Sequence, residues 1–220
     1  MKTSEKYYFS VEGKTEKWYL EWLKNTVNNA PQAQQHISLN CKVQKDPLQY
    51  VKRLTVIDVL DDVDITHVFD RESEETAHTE EFTATLRRME EVGKIHGKTV
   101  KYNLGYSNFT FELWMVLHKS DCNGAKNHRH QYLGPINQAY KEQFESLDQY
   151  KRESDFKRVL GKLTLDDVKQ AIRRSKSIMR KNEENGYICQ EESGYFYYKE
   201  NPSLSIWECI EKMLDDCGLL

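Results

Sequence analysis

Residues 65–72 read Ile-Thr-His-Val-Phe-Asp-Arg-Glu, ITHVFDRE. β-Branched and aromatic residues dominate the first part, as in a short buried strand, and two acids stand where that strand must end. The layout repeats an earlier one: residues 6–11, KYYFSV, form a β-rich run that meets Glu12 and is broken by Gly13. Working outward, helical spacing separates the strands. Thr15 is expected to cap a helix with Trp18, Tyr19, Trp22, Leu23 and Val27 on one apolar face, stopped by Asn28-Asn29-Ala30-Pro31. Residues 36–44 alternate like a half-buried or edge strand. Asp46-Pro47 reads as cap and first position of a helix carried by Leu48, Val51, Leu54 and Ile57 or Asp58 to Leu60. Thr79 should cap a helix bearing Phe82, Leu86 and Met89, closed near Gly97. Residues 99–103 form another strand, and residues 109–118, apolar on nearly every side, a buried helix. Strand alternating with helix predicts an α/β fold with a mostly parallel sheet flanked by helices.

From about residue 120 the pattern turns helical. Ile136, Tyr140, Phe144 and Leu147 form one stripe; Phe156, Val159, Leu160 and Leu163 form another. Thr164-Leu165-Asp166-Asp167 resembles a capping box with Asp in place of Glu, opening a helix with Leu165, Val168, Ile172, Ser175 and Met179 on one face. Residues 186–198 suggest a hairpin turning at Glu192-Ser193-Gly194. Asn201-Pro202-Ser203 is expected to start the last helix, with Trp207, Ile210 and Leu214 inward and Gly218 stopping it. The expected organisation is an α/β core over residues 1–118 and a mainly helical extension over residues 119–220, packed together as one unit.

At 220 residues the chain can bury a core without staples. Charged residues make up 30%, and no apolar run approaches the roughly 20 residues that span a bilayer. The first residues hold no apolar stretch of signal-peptide length, so the expected location is the cytoplasm, with no membrane partner. Five scattered cysteines without a C-x-x-C pair argue against a disulfide framework or zinc ribbon. A net charge of −3 excludes a generally basic nucleic-acid coat but leaves room for a local basic groove.

Function is concentrated in acids at strand ends. Glu12 follows the first strand, and Asp70 and Glu72 follow the strand at residues 65–69. Ligands of parallel α/β sheets bind beyond the carboxyl ends of strands, so these carboxylates can converge. Gathered carboxylates repel one another, and a hard divalent ion such as Mg²⁺ or Mn²⁺ relieves that repulsion. Such a site clamps a phosphodiester and activates water. Singly, each acid reads as a surface residue capping a neighbouring helix; together, at strand ends, they read as a site. Glu112, in the first turn of its expected helix behind a cap at Ser107 or Asn108, is either a helix-dipole partner or a further acid facing the site.

These stretches together resemble the RloB-like family. VEGKTEKWYLEWL, HVFDRE, SNFTFELWMVLH and NPSLSIWECIEKML follow, in order and over nearly the whole chain, that family's E-G-x-T-E opening, D-R-D-type strand end, S-N-P-x-F-E-L-W-x-L-L-H helix and closing N-P-S-T stretch. The resemblance implies a Toprim-like α/β core, a role in bacterial phage defence, and an ATPase partner of the AAA or ABC type. It implies that Glu12 matches the Toprim glutamate and Asp70 with Glu72 its acidic pair, with Ser107, Asn108, Glu112 and His118 in the family's own helix motif. Two departures stand out: the second acid is Glu72 rather than Asp, and Phe109-Thr110 replaces Pro-Cys. Neither removes an oxygen ligand.

Among the cations, Lys14, Arg71 and Lys151 are candidates for phosphate binding, Lys151 through a Tyr-Lys pair that the resemblance also suggests. Arg71, between two acids on an extended turn, should point away from them. Lys169, Arg173, Lys176 and Arg180 recur at helical spacing, either a phosphate-tracking stripe, with Arg173 and Lys176 at its centre, or a solvated helix face. His118, Cys122, His128 and His130 lie close in sequence but fit no zinc spacing; His118 reads as a dipole partner at a helix end or, as the family's helix motif implies, a catalytic base. The expectation is a metal-dependent nuclease cutting RNA, tRNA included, or DNA as a defence effector. In it Glu12, Asp70 and Glu72 hold the metal, Glu112 assists, and self-association is compatible with the sequence. The alternative is a catalytically inactive Toprim-like regulatory subunit of an ATPase-containing complex.

Overall fold

A computed structural model describes residues 3–54, 62–95 and 97–220. The strand that decides the fold is β3, Val63–Asp70, at the middle of the sheet. It runs parallel to β1, Ser4–Val11, on one side and to β5, Lys98–Asn108, on the other. β2, His36–Val43, continues the parallel set beyond β1. Two short antiparallel strands flank β5: β4, Lys94–Ile95, and β8, Ser203–Leu204. The order β2-β1-β3-β5-β4 makes a mixed, mostly parallel α/β sheet.

Each face of β1 and β3 buries a different cluster, because successive side chains point to opposite sides. Phe9, Val11 and Val68 pack under α1, Lys14–Asn28, and α4, Glu112–Leu117. Tyr8, Ile65 and Phe69 join Val100 and Tyr102 under α2, Pro47–Lys52, and α3, Thr76–Glu90. Beyond α4 the chain is helical: a 3-10 turn at Arg129–Tyr132, then α5 (Leu133–Tyr140), α6 (Leu147–Tyr150), α7 (Glu153–Leu160) and α8 (Leu165–Glu184). The hairpin of β6, Gln190–Glu192, and β7, Tyr195–Tyr197, turns through Ser193 and Gly194, both at positive φ. α9, Ile206–Asp216, is followed by Cys217 at its cap and by Gly218 at φ +65°. Trp114, Phe156, Ile172 and Ile210 share one buried cluster with Phe9 and Val11, and β8 lies in the sheet itself. Residues beyond 118 therefore complete the core rather than merely cover it.

Several helix starts differ from the sequence expectation. Gly13, not Thr15, occupies the cap position of α1. A Cβ there would lie 2.8 Å from Glu16 Oε2, so glycine leaves room for that carboxylate to fold back over the helix start. α3 begins a turn before Thr79, whose hydroxyl instead donates within the helix to Glu75 and Thr76 carbonyls. β5 runs on through Ser107 and Asn108, which are strand residues and not caps, because their backbone pairs with β3 and β8. Gly105 permits this, since a Cβ would sit 3.2 Å from the Thr66 methyl. Asn201-Pro202-Ser203 leads into β8, and the last helix starts after Ser205. The Asp46-Pro47 start of α2 and the Thr164–Asp167 capping box of α8 are as expected. α2 ends at Lys52; Ile57, Asp58 and Leu60 lie outside the described residues.

Candidate active site

Because β1 and β3 are neighbours in register, their carboxyl ends finish side by side. Val11 pairs with Val68, the Glu12 amide donates to Val68 O (3.0 Å), and the Asp70 amide donates to Glu12 Oε2 (3.2 Å). Glu12 Oε1 receives Lys45 Nζ at 2.6 Å. α1 starts just after Glu12 and brings Glu16 inside, 5% exposed. On the far side α4 places Glu112 at its first position, fully buried, accepting from the Thr110 hydroxyl. Lys151, at the end of α6, reaches to 3.2 Å from Glu112 Oε1.

The electrostatics follow from this crowding. Burial, then Glu12, Glu16 and Glu112 in turn, hold the Asp70 carboxyl well above its ordinary range, while Lys151 opposes them. Burial raises Glu16 to about 7, with Glu112 adding to the rise against its own backbone hydrogen bond and Lys151. Burial works to lower Lys151, but Glu112, Asp70 and Glu16 outweigh it and keep the ammonium charged. Four carboxylates and two lysines thus act on one another at the ends of β1 and β3 and the starts of α1 and α4.

Mg²⁺ commonly takes one or two carboxylates and keeps water or phosphate on its other positions. Glu12 and Asp70, side by side at adjoining strand ends, fit that donor set, and Glu16 and Glu112 supply further oxygens close by. Glu112 Oε1 accepts no hydrogen bond of normal geometry despite the nearby ammonium, and Ser107, which pairs with Asp70 across β3 and β5, also has a buried unpartnered hydroxyl. Among the described residues no three His, Cys, Asp or Glu side chains are already gathered at ligating distance. Glu72 is turned aside: its oxygens lie 3.3 Å from His78 Nε2 and 3.7 Å from Arg129. Glu12, Asp70 and Glu112 are therefore brought together, and Glu72 stands at the rim with different partners.

The family model described as RloB-like protein matches residues 7–213. The chain belongs to the RloB-like family. No curated protein and no solved structure matches it. In this RloB-like chain the matched region takes in the whole acidic centre, from Glu12 to Lys151.

The cations expected to bind phosphate divide. Arg71 is 2% exposed, forked onto Glu74 (2.5 and 2.9 Å) and bonded to Lys199 O (3.0 Å), so it is not free to meet a phosphate. Lys176 pairs with Glu211 at 2.5 Å and lies over the Trp207 ring, so it serves α8–α9 packing; Arg173 is exposed on α8. Lys14 is exposed at the start of α1. Lys151 alone of the five reaches the acids. His118 is buried, and burial pushes it down to about 4, so it is neutral and not a charged dipole partner. Its Nδ1 donates to Trp114 O, which leaves Nε2 to accept from the Tyr19 hydroxyl. Sequence reading passed over Glu16 and Lys45. Glu16 had a signal, since it lies one helical turn beyond Glu12; Lys45 had none, because it arrives from the end of a different strand.

Proposed function

We propose that this RloB-like protein is a metal-dependent nuclease that hydrolyses phosphodiester bonds at the Glu12–Asp70 edge. The observation that carries this reading is the Asp70 carboxyl, at the end of β3 beside Glu12 at the end of β1, raised first by burial and then by Glu12, Glu16 and Glu112. Structural acids are ordinarily paired or exposed, whereas Asp70 and Glu16, among the described residues, have no ion-pair partner within 4 Å and lie buried beside other carboxylates. Glu12 and Asp70 would hold Mg²⁺ or Mn²⁺, which when bound supplies Lewis-acid activation of a water and of the phosphodiester. Glu16, titrating near neutrality, is suited to take up a proton from the attacking water. Lys151, kept charged beside Glu112, would steady negative charge developing on phosphate oxygens. Family membership supports the wider proposal of an effector in bacterial phage defence, acting on RNA or DNA and restrained by an ATPase partner.

Lys45 and Lys151 already neutralise part of the acidic centre, and this favours a second reading, a regulatory subunit without chemistry. Calorimetric titration with Mg²⁺ or Mn²⁺ separates the two. The nuclease reading expects binding that Asp70→Asn abolishes, and cleavage of single- or double-stranded RNA or DNA that falls about a hundredfold in Glu12→Gln. Absence of cation binding in the unmodified protein would favour the regulatory reading.

A further inference from the structure

A second surface lies at the same, carboxyl end of the sheet. A cavity of about 380 Å³ is walled by Phe109, which directly follows β5, and by Glu74, just beyond Asp70 and Glu72. A second cavity, of about 230 Å³, adjoins it and runs along the end of α8; the two share Ala125, Tyr187 and Asn201. Three lysines line this double groove, Lys126 and Lys199 in the first part and Lys181 in the second. Among the described residues none of these three forms an ion pair within 4 Å. Tyr187 stands between the cavities, 42% exposed. Asn123 and Asn185 line the α8 end, both exposed. The groove's acids are Glu74, whose charge is taken by Arg71, and the half-buried Glu200. On a chain of net charge −3 this is a local concentration of positive charge.

Unpaired lysines track a phosphate backbone. An exposed aromatic ring set among them offers a face for an unstacked base, and free amides read base edges without favouring one sequence strongly. We infer that this groove binds single-stranded nucleic acid and leads the strand toward the acidic centre. The inference rests on the nuclease reading only for the strand's destination; binding in the groove stands on its own lysines and tyrosine. It also moves the nucleic-acid surface off the Arg173–Lys176 stripe, where Lys176 is engaged with Glu211.

The test is fluorescence anisotropy in chelator, so that no cation is needed, with labelled 20-nucleotide dT and U strands and a 20-base-pair duplex as probes. The single strands should bind more tightly than the duplex. Tyr187→Ala should weaken them roughly tenfold or more. Lys181→Glu with Lys199→Glu should weaken them further. The same pair should flatten the slope of log affinity against log salt by about 0.7 for each phosphate no longer neutralised. Arg173→Glu should leave binding unchanged, and all variants should keep the parent melting temperature, since every altered residue is exposed. A stronger response to Arg173→Glu than to the groove variants, duplex binding equal to single-strand binding, or no binding to any probe would overturn the inference. The dT and U arms separate DNA from RNA. Strand binding in the groove by an unmodified protein that binds neither Mg²⁺ nor Mn²⁺ would refute the nuclease reading and leave the groove standing.

Discussion

Replacing Glu16 by Gln tests whether the acidic centre is held together at a cost. Glu16 is 5% exposed and its carboxyl rises from an ordinary 4.5 to about 7, first through burial and then through Glu112. Each pKa unit is worth about 1.4 kcal/mol, so ionising Glu16 in the metal-free protein costs on the order of 3 kcal/mol relative to the unfolded chain. The sign follows from proton binding. Below pH 4.5 both states hold the proton and the cost is absent. As pH rises toward 7 the unfolded chain releases its proton first, and native stability falls through that window. Glutamine has nearly the same shape, can still accept from the Thr15 hydroxyl and carries no charge to desolvate. Urea unfolding in chelator should therefore find Glu16→Gln more stable by under about 1 kcal/mol at pH 5 and by on the order of 3 kcal/mol at pH 8. Mg²⁺ should narrow that gap, because a cation stabilises only the native state that binds it. A difference that is the same at every pH, or a loss of stability at pH 8, would refute the reasoning and make Glu16 a structural acid.

Lys151→Met should cost about 2 kcal/mol in urea melts, because Glu112 is left buried without its cation, and adding Glu112→Gln should recover most of it. His118 is lowered from 6.5 to about 4 by burial, so its contribution is present above pH 6.5 and is lost as pH falls toward 4; His118→Gln should give a shallower acid limb of stability, by on the order of 3 kcal/mol. Thr164→Ala removes the hydroxyl that accepts from the Asp167 amide at the start of α8 and should lower stability by about 1 kcal/mol, measured by thermal or urea unfolding.

Local signals read correctly where the chemistry was local. Asp46-Pro47 and Thr164–Asp167 are caps whose donors and acceptors lie within three residues, so the sequence contains the whole interaction. Thr15, Thr79, Ser107 and Asn108 carry the same capping chemistry but none caps: Thr15 and Thr79 are engaged by neighbours in their own helices, and Ser107 and Asn108 are claimed from elsewhere. Glu16 folds over Gly13, and strands β3 and β8 claim the backbone of Ser107 and Asn108. Gly105, Ser107 and Asn108 are residues that turns favour; pairing with β3 and β8 makes this stretch strand. In the site, Glu12 and Asp70 were legible because a strand end is a position that sequence can mark. Glu72 was not separable from them, since its turn away depends on how α3 folds back to bring His78 beside it and on Arg129, which arrives from a segment distant in sequence.

The sequence by itself determined the alternation of strands and helices, hence a mostly parallel α/β sheet, and it placed acids at the ends of two strands. Periodicity and propensity act over a few residues, and those features are written at that range. Only the tertiary structure decided that β1 and β3 are neighbours, so that Glu12 meets Asp70, and that α1, α4 and α6 deliver Glu16, Glu112 and Lys151 to the same point. It decided likewise that Arg71 is spent on Glu74 while Lys126, Lys181 and Lys199 share a groove. Electrostatic coupling depends on distance through space and on burial, and neither quantity exists until the chain has packed.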